Sequence, residues 1–218
     1  MKNIRIIFMG TPSIACGYFK TLIEKNYNVI ATFTQPPRKK GRGMKLQQSP
    51  MHEESLKHNI PVFHPTNFSD QKNIESFIEL KADLVIVMAY GLLLPNKILE
   101  APQYGCINVH FSLLPRWRGA APIEHALLNG DEETGVTIFR LVNKLDSGPI
   151  ISLKSLKIEN DMDKNALTLK LNQIGKKLLI NSLSNYINDQ ITLINQNDNE
   201  ATYAHKSHSG DRKIDFFS

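Results

Sequence analysis

The chain has 218 residues and a formal net charge of +5, with 41% hydrophobic and 22% charged residues, which is the balance of a folded globular protein and excludes intrinsic disorder. A chain this long buries roughly 70% of the surface it exposes when unfolded, so it can build one large core without disulfide support. Its two cysteines, Cys16 and Cys106, lie ninety positions apart with no CxxC or Cys/His ligand spacing; this argues against a disulfide framework and a structural zinc site and fits a reducing cytoplasm.

Ile4 to Met9 is apolar except for Arg5 and runs into Gly10-Thr11-Pro12-Ser13, the pattern of a buried strand, a turn and a helix start, with Thr11 and Ser13 as candidate caps. A helix is predicted from Ile14 to about Lys25 and a second strand over Val29 to Phe33. The first turn lacks the G-x-G-x-x-G array of a dinucleotide site, because Pro12 occupies the second position. Next comes RKKGRGMK, with Arg38, Lys39, Lys40, Arg42 and Lys45 and no acid; without these five residues the chain is neutral. Pro36, Pro37, Gly41 and Gly43 predict a loop there, neither helix nor strand. A basic loop on a neutral body is suited to a polyanion, although such runs also occur as solvated surface.

A short helix over Met51 to His58, a short strand at Pro61 to Phe63 and a helix over Asp70 to Leu80 follow, the last marked by Ile74, Phe77 and Ile78. Leu84 to Met88 reads as another buried strand. It opens the longest charge-free apolar stretch, which ends at Leu94 after eleven residues, whereas a membrane-spanning helix needs about twenty. The N-terminal apolar run is also too short for a signal-peptide core, so a cytosolic location is expected. Strands over Gly105 to Val109, Val136 to Leu141 and Ile150 to Leu156 flank a helix from Ala120 to Asn129. Leu167, Leu171, Ile174 and Leu178 mark a final amphipathic helix capped by Asp161 or Asp163, and the region from Asn195 is polar. This alternation predicts an α/β fold: a Rossmann-like, open, mostly parallel sheet with helices on both faces.

The chemistry-bearing residues cluster at NVHFSLLP, Asn108 to Pro115, directly after a predicted strand and before RWRGAAPI. Positions 108 and 110 of a strand share a face, so an amide and an imidazole stand side by side at the strand end, where open α/β sheets hold ligands. Asp146 follows in LDSG between two predicted strands. A histidine or a turn aspartate taken alone is more often structural. Together, the amide, imidazole and carboxylate suit acyl transfer to an amine: Asn108 and protonated His110 can stabilise an oxyanion, while Asp146 orients the imidazole and assists proton removal. No serine or cysteine nucleophile is required. Trp117, the only tryptophan, suits base stacking and packing equally.

These segments, with RIIFMGTP, TQPPRKKGRG, VMAYGLLLP, GDEETGVTI and YAHK, resemble the catalytic domain of the methionyl-tRNA formyltransferase family, within the wider group of tetrahydrofolate-dependent formyltransferases, across essentially the whole chain. The resemblance implies formyl transfer from 10-formyltetrahydrofolate to the α-amino group of methionyl-initiator tRNA for translation initiation. It also implies a metal-free reaction in the cytoplasm, with a monomer expected. It assigns Asn108, His110 and Asp146 to catalysis. Leu92, Leu93, Leu94, Ser112, Leu113, Leu114 and Pro115 fall to the folate site, although the first three also read as ordinary core. Arg38, Lys39, Lys40, Arg42 and Lys45 fall to tRNA binding, with Arg42 foremost.

Two departures from the family pattern stand out. Phe111 replaces a small residue or proline beside the histidine, which bears on pocket geometry. Family members continue into a C-terminal β-barrel domain, so residues 1–206 are expected to form the catalytic domain and 207–218 to begin a linker towards a domain this chain lacks. The alternatives are formyl transfer to a nucleotide-linked amino sugar or to glycinamide ribonucleotide, and a nucleic-acid-binding module on an inactive scaffold. The five-charge segment argues against a small substrate, and the intact trio argues against an inactive scaffold.

Overall fold

The computed structural model describes residues 4–40 and 43–206, apart from the side chain of Lys40. The elements appear in the order β1 (Ile6–Gly10), α1 (Ser13–Glu24), β2 (Val29–Phe33), β3 (Arg38–Lys40), β4 (Lys45–Gln47), α2 (Pro50–Lys57), β5 (Val62–Phe63), α3 (Gln71–Glu79), β6 (Leu84–Met88), α4 (Asn96–Leu99), β7 (Cys106–His110), β8 (Arg118–Gly119), α5 (Pro122–Leu128), β9 (Glu133–Arg140), β10 (Ile150–Lys157), α6 (Lys164–Ile187) and β11 (Tyr203–Ala204). Seven strands form one sheet in the order β10-β9-β7-β6-β1-β2-β5. The block from β7 to β5 is parallel, while β9 runs antiparallel to both β7 and β10.

Continuous apolar runs make the central strands, and all five residues of β1 and of β6 are buried. Strand alternation then sends side chains to two cores. Ile6, Phe8, Ile107 and Val109 join the inner faces of α1, α2, α5 and α6. Ile7, Met9, Val85 and Cys106 meet Ile74 and Phe77 of α3 and Ile98 and Leu99 of α4 on the opposite face. The predicted fold class therefore holds, with helices on both faces.

Several local expectations change. The basic segment is a two-stranded antiparallel ribbon, with Arg38 opposite Gln47 and Lys39 opposite Leu46. Pro36, Pro37 and Gly43 lie outside the paired residues, which leaves two short runs free to exchange backbone hydrogen bonds. Thr11 and Ser13 do not cap α1. Pro12 holds the cap position with no side-chain hydrogen bond, and the Thr11 hydroxyl donates to the Tyr90 carbonyl at 2.9 Å. Asp163 is the cap of α6, accepting from the Ala166 amide at 2.7 Å. Both cysteines are free and buried, and burial pushes the Cys106 thiol up to about 12. Among the described residues, no helix is long and apolar enough to cross a membrane.

The chain order reverses between β1 and β6, the place where open α/β sheets form a ligand crevice beyond their carboxyl ends. There the turns after β1, β2 and β6 are tied together. The Gln35 amide nitrogen donates to the Tyr90 carbonyl at 3.1 Å, the same oxygen that Thr11 engages. The ribbon leaves the sheet beyond this knot, and a 2.6 Å hydroxyl contact between Thr34, which precedes it, and Ser49, which follows it, closes its base.

Candidate active site

Strand β7 carries Asn108 and His110 on one face at the carboxyl end of the parallel block. Their antiparallel partners on β9 are Phe139 and Thr137. Asp146 arrives from the other end of the sheet. β9 finishes with Arg140 opposite Ile107, and the connection over residues 141–149 folds back along the face to reach the imidazole.

His110 is 6% exposed. Its Nε2 lies 2.8 Å from the Trp117 carbonyl. A carbonyl oxygen only accepts, so Nε2 carries the hydrogen and Nδ1 is the nitrogen left to exchange a proton. Nδ1 faces Asp146 Oδ2 at 3.9 Å. That separation is too long for a direct hydrogen bond, but one reacting atom can lie within about 3 Å of both groups. The same carboxylate oxygen accepts the Gly119 N–H at 2.8 Å, which fixes its direction.

Both arms rest on strained backbone. Asp146 has φ of 45° and Trp117 φ of 60°, in the left-handed region that costs non-glycine residues free energy. Three contacts hold Trp117 there. Its N–H donates to the Thr202 hydroxyl at 2.9 Å, its indole N–H donates to Asp131 at 2.7 Å, and the Arg116 guanidinium lies 4.5 Å from its ring centroid. Arg116 also grips both oxygens of Asp131, holding that carboxyl below its ordinary range, with the indole hydrogen bond adding to the effect. Packing and carbonyl placement therefore account for Trp117, whose ring meets His125 and Arg116.

The Ser112-to-Pro115 turn is braced by Thr137. Its hydroxyl donates to the Ser112 carbonyl at 2.7 Å and accepts from the Leu114 N–H at 3.1 Å. The Ser112 hydroxyl is wholly buried and donates to the Arg116 carbonyl at 2.6 Å. Leu114 packs into a small core with Phe139 and Ile150, while Leu113 and Pro115 are half-buried. Phe111 points to the opposite face and is buried in the larger core, away from the imidazole. In the stretch after β6, Leu92 and Leu94 pack against the second core, whereas Leu93 is 88% exposed. The segment thus combines core with open apolar surface at the chain-reversal crevice.

In the ribbon, Arg38, Lys39 and Lys45 are exposed. The backbone of Lys40 completes β3, while its side chain and Arg42 lie outside the described residues. Gln196, Thr202, Asp131 and Thr137 are supporting residues that the motif pattern did not reveal. Only Asp131 and Thr137 lie near a recognisable segment, and Gln196 and Thr202 sit in the polar stretch after α6. Among the described residues, no group of three or more His, Cys, Asp or Glu side chains could hold a metal ion.

The family described as formyl transferase matches residues 2–183. A methionyl-tRNA formyltransferase of Kosmotoga olearia is 45% identical over 203 residues, covering 93% of this chain and 65% of that protein. Another, from Pseudoalteromonas translucida, is 42% identical over 215 residues, covering 99% of this chain and 67% of that one. The chain thus spans about two thirds of the length of these curated relatives. The solved structure of an N-formyltransferase from Helicobacter canadensis, in complex with folinic acid and dTDP-3-aminofucose, shares the fold at a TM-score of 0.75 and 21% identity, covering 98% of this chain and 75% of that one. With the family match running from the first strand to the last turns of α6, the chain belongs to the formyl transferase family.

Proposed function

We propose that the chain transfers the formyl group of 10-formyltetrahydrofolate to the α-amino group of methionyl-initiator tRNA, in the cytoplasm and as a monomer. The observation that carries this reading is its identity of 40–45%, over nearly its whole length, to proteins named methionyl-tRNA formyltransferase. The amino-sugar and ribonucleotide formyltransferases that share its fold stand at only 15–24%. The exposed basic ribbon supports a polyanionic substrate.

The folate supplies an activated formyl group on nitrogen. The residues of this chain do the rest. Asn108 and the Nδ1–H of protonated His110 donate to the formyl oxygen as it gains negative charge. Asp146, aimed by the Gly119 N–H, accepts the proton that the attacking amine must lose. As the new C–N bond forms and the old one breaks, His110 Nδ1 gives its proton to the departing nitrogen and regains one from Asp146, which holds the proton taken from the amine, so the proton balance closes. The Trp117 carbonyl keeps Nε2 protonated throughout and so commits Nδ1 to this exchange. The half-buried Leu92 and Leu94 with exposed Leu93 offer apolar surface for a flat ring, and they follow β6, the neighbour of the strand β7 that leads into the Ser112-to-Pro115 turn. Arg38, Lys39, Lys40, Arg42 and Lys45 engage the acceptor arm.

The test is formyl transfer from 10-formyltetrahydrofolate to methionyl-initiator tRNA, run beside His110→Ala and a dTDP-linked amino sugar. Turnover on the tRNA alone, abolished in the variant, is the expected result. Turnover on the amino sugar with none on tRNA would overturn the reading.

A further inference from the structure

Asp146 sits in a left-handed turn with no helix or strand to hold it, yet its carboxylate must meet the imidazole. What holds the turn comes from fifty residues further along the chain. The Gln196 side-chain amide donates to the Asp146 carbonyl at 2.9 Å and to the Gly148 carbonyl at 2.7 Å, spanning the turn from both sides. Its oxygen accepts two hydrogen bonds from Arg118, Nε at 3.0 Å and Nη2 at 2.8 Å. Arg118 is fully buried and reaches Asp198 at 2.8 Å with its remaining nitrogen. Every donor and acceptor of the Gln196 amide is thereby directed, and the amide cannot flip without setting its donors against Arg118.

The same stretch holds the other arm of the site. Thr202 fixes Trp117, whose carbonyl fixes His110, and β11 pairs with β8 immediately beside Gly119. Arg118 and Gly119 are thus the common wall: one holds Gln196, the other aims the Asp146 carboxylate. We infer that Gln196 is a positioning residue for Asp146, and that the segment from Gln196 to Ala204 clasps the two catalytic arms at the observed separation. This rests on the role proposed above for Asp146.

The discriminating variant is Gln196→Glu in the full chain. A glutamate still offers oxygens to Arg118, so the buried guanidinium keeps its partner. It has no N–H for the two turn carbonyls. The expected result is a kcat at least about tenfold lower with both KM values within about twofold, because displacement of a catalytic group by about 1 Å costs up to 10²-fold in rate. Gln196→Glu combined with Asp146→Asn should be no slower than Asp146→Asn alone, as residues acting through one group are not additive. An activity-independent readout is the Gly119 amide proton in a two-dimensional NMR spectrum, which should move upfield as its carboxylate acceptor shifts. Gln196→Met, which removes both sets of bonds, is read by the same criteria where the glutamate variant does not fold.

A kcat within twofold of the unmodified chain, additive losses, or an unmoved Gly119 resonance would overturn the inference. If the unmodified chain itself fails to formylate the tRNA, it is the proposed function that fails. The Gly119 resonance then still decides whether Gln196 positions Asp146.

Discussion

The main-chain carbonyl of Trp117 accepts the Nε2–H of His110 at 2.8 Å, and this contact decides which imidazole nitrogen keeps its hydrogen and which one faces Asp146. A carboxylate in that place would also add charge to the ring. A neutral carbonyl fixes the tautomer and leaves Nδ1 facing Asp146. Trp117 adopts φ of 60° to present that oxygen, and the cost is offset by Thr202, Asp131 and Arg116.

Replacing His110 by Ala, or Asp146 by Asn, should lower kcat by about 10²- to 10⁴-fold, the range for a lost acid or base. Because the roles proposed for these groups concern developing charge, RNA affinity should stay within about twofold. Single-turnover formyl transfer and filter binding on the same preparations check both halves.

Gly148→Ala should damage fold and activity together. A Cβ there would lie 1.7 Å from the Arg140 carbonyl oxygen, a contact that backbone cannot relieve without moving the turn that carries Asp146. The expected outcome is a lowered thermal midpoint with kcat reduced at least about tenfold in whatever folds. Circular dichroism melting beside the transfer assay is the check, and a variant with unchanged midpoint and rate would contradict the account of the turn.

Charge removal in the ribbon should act on binding alone. Five phosphate contacts predict a slope of log Kd against log salt of up to about 4 in magnitude. Arg38→Ala with Lys39→Ala should reduce that magnitude by about 2 while leaving folate affinity unchanged. Arg42→Ala should weaken RNA binding on its own. A salt titration of tRNA binding measures the RNA effects, and a folate-binding titration on the same proteins checks the rest.

The Asp131 clamp should make stability acid-sensitive. Arg116 holds this carboxyl below its ordinary value of 3.8, so its contribution is fully present above 3.8 and is lost as pH falls through the lower folded value. Asp131→Ala should cost about 1–3 kcal/mol at neutral pH, since the Trp117 indole N–H loses its acceptor. Thermal midpoints measured from pH 7 downwards should show a constant gap between the two proteins above 3.8 that closes below it.

Much of this molecule is written locally. Unbroken apolar runs such as Leu84 to Met88 mark strands buried on both faces, and the spacing of Ile74 and Phe77 marks the inward side of a helix. Alternation along β7 places Asn108 and His110 on one face before any contact is known. The basic segment shows the limit of reading composition: its prolines and glycines pointed to a loop, yet residues 38–40 and 45–47 pair as strands.

Other features arise only when distant segments meet. Nothing in LDSG says that Asp146 folds back across the sheet to His110, because that depends on where β9 ends relative to β7. Nothing in the polar stretch after α6 marks Gln196 or Thr202, whose partners lie between 48 and 85 positions away. Periodicity and turn chemistry act over a few residues, so the chain by itself determined the main sheet strands, most of the helices and which side-chain types stand together at the end of β7. The tautomer of His110, the aim of Asp146 and the clasp on both are long-range hydrogen bonds, and only the closed tertiary structure brings their donors and acceptors within reach.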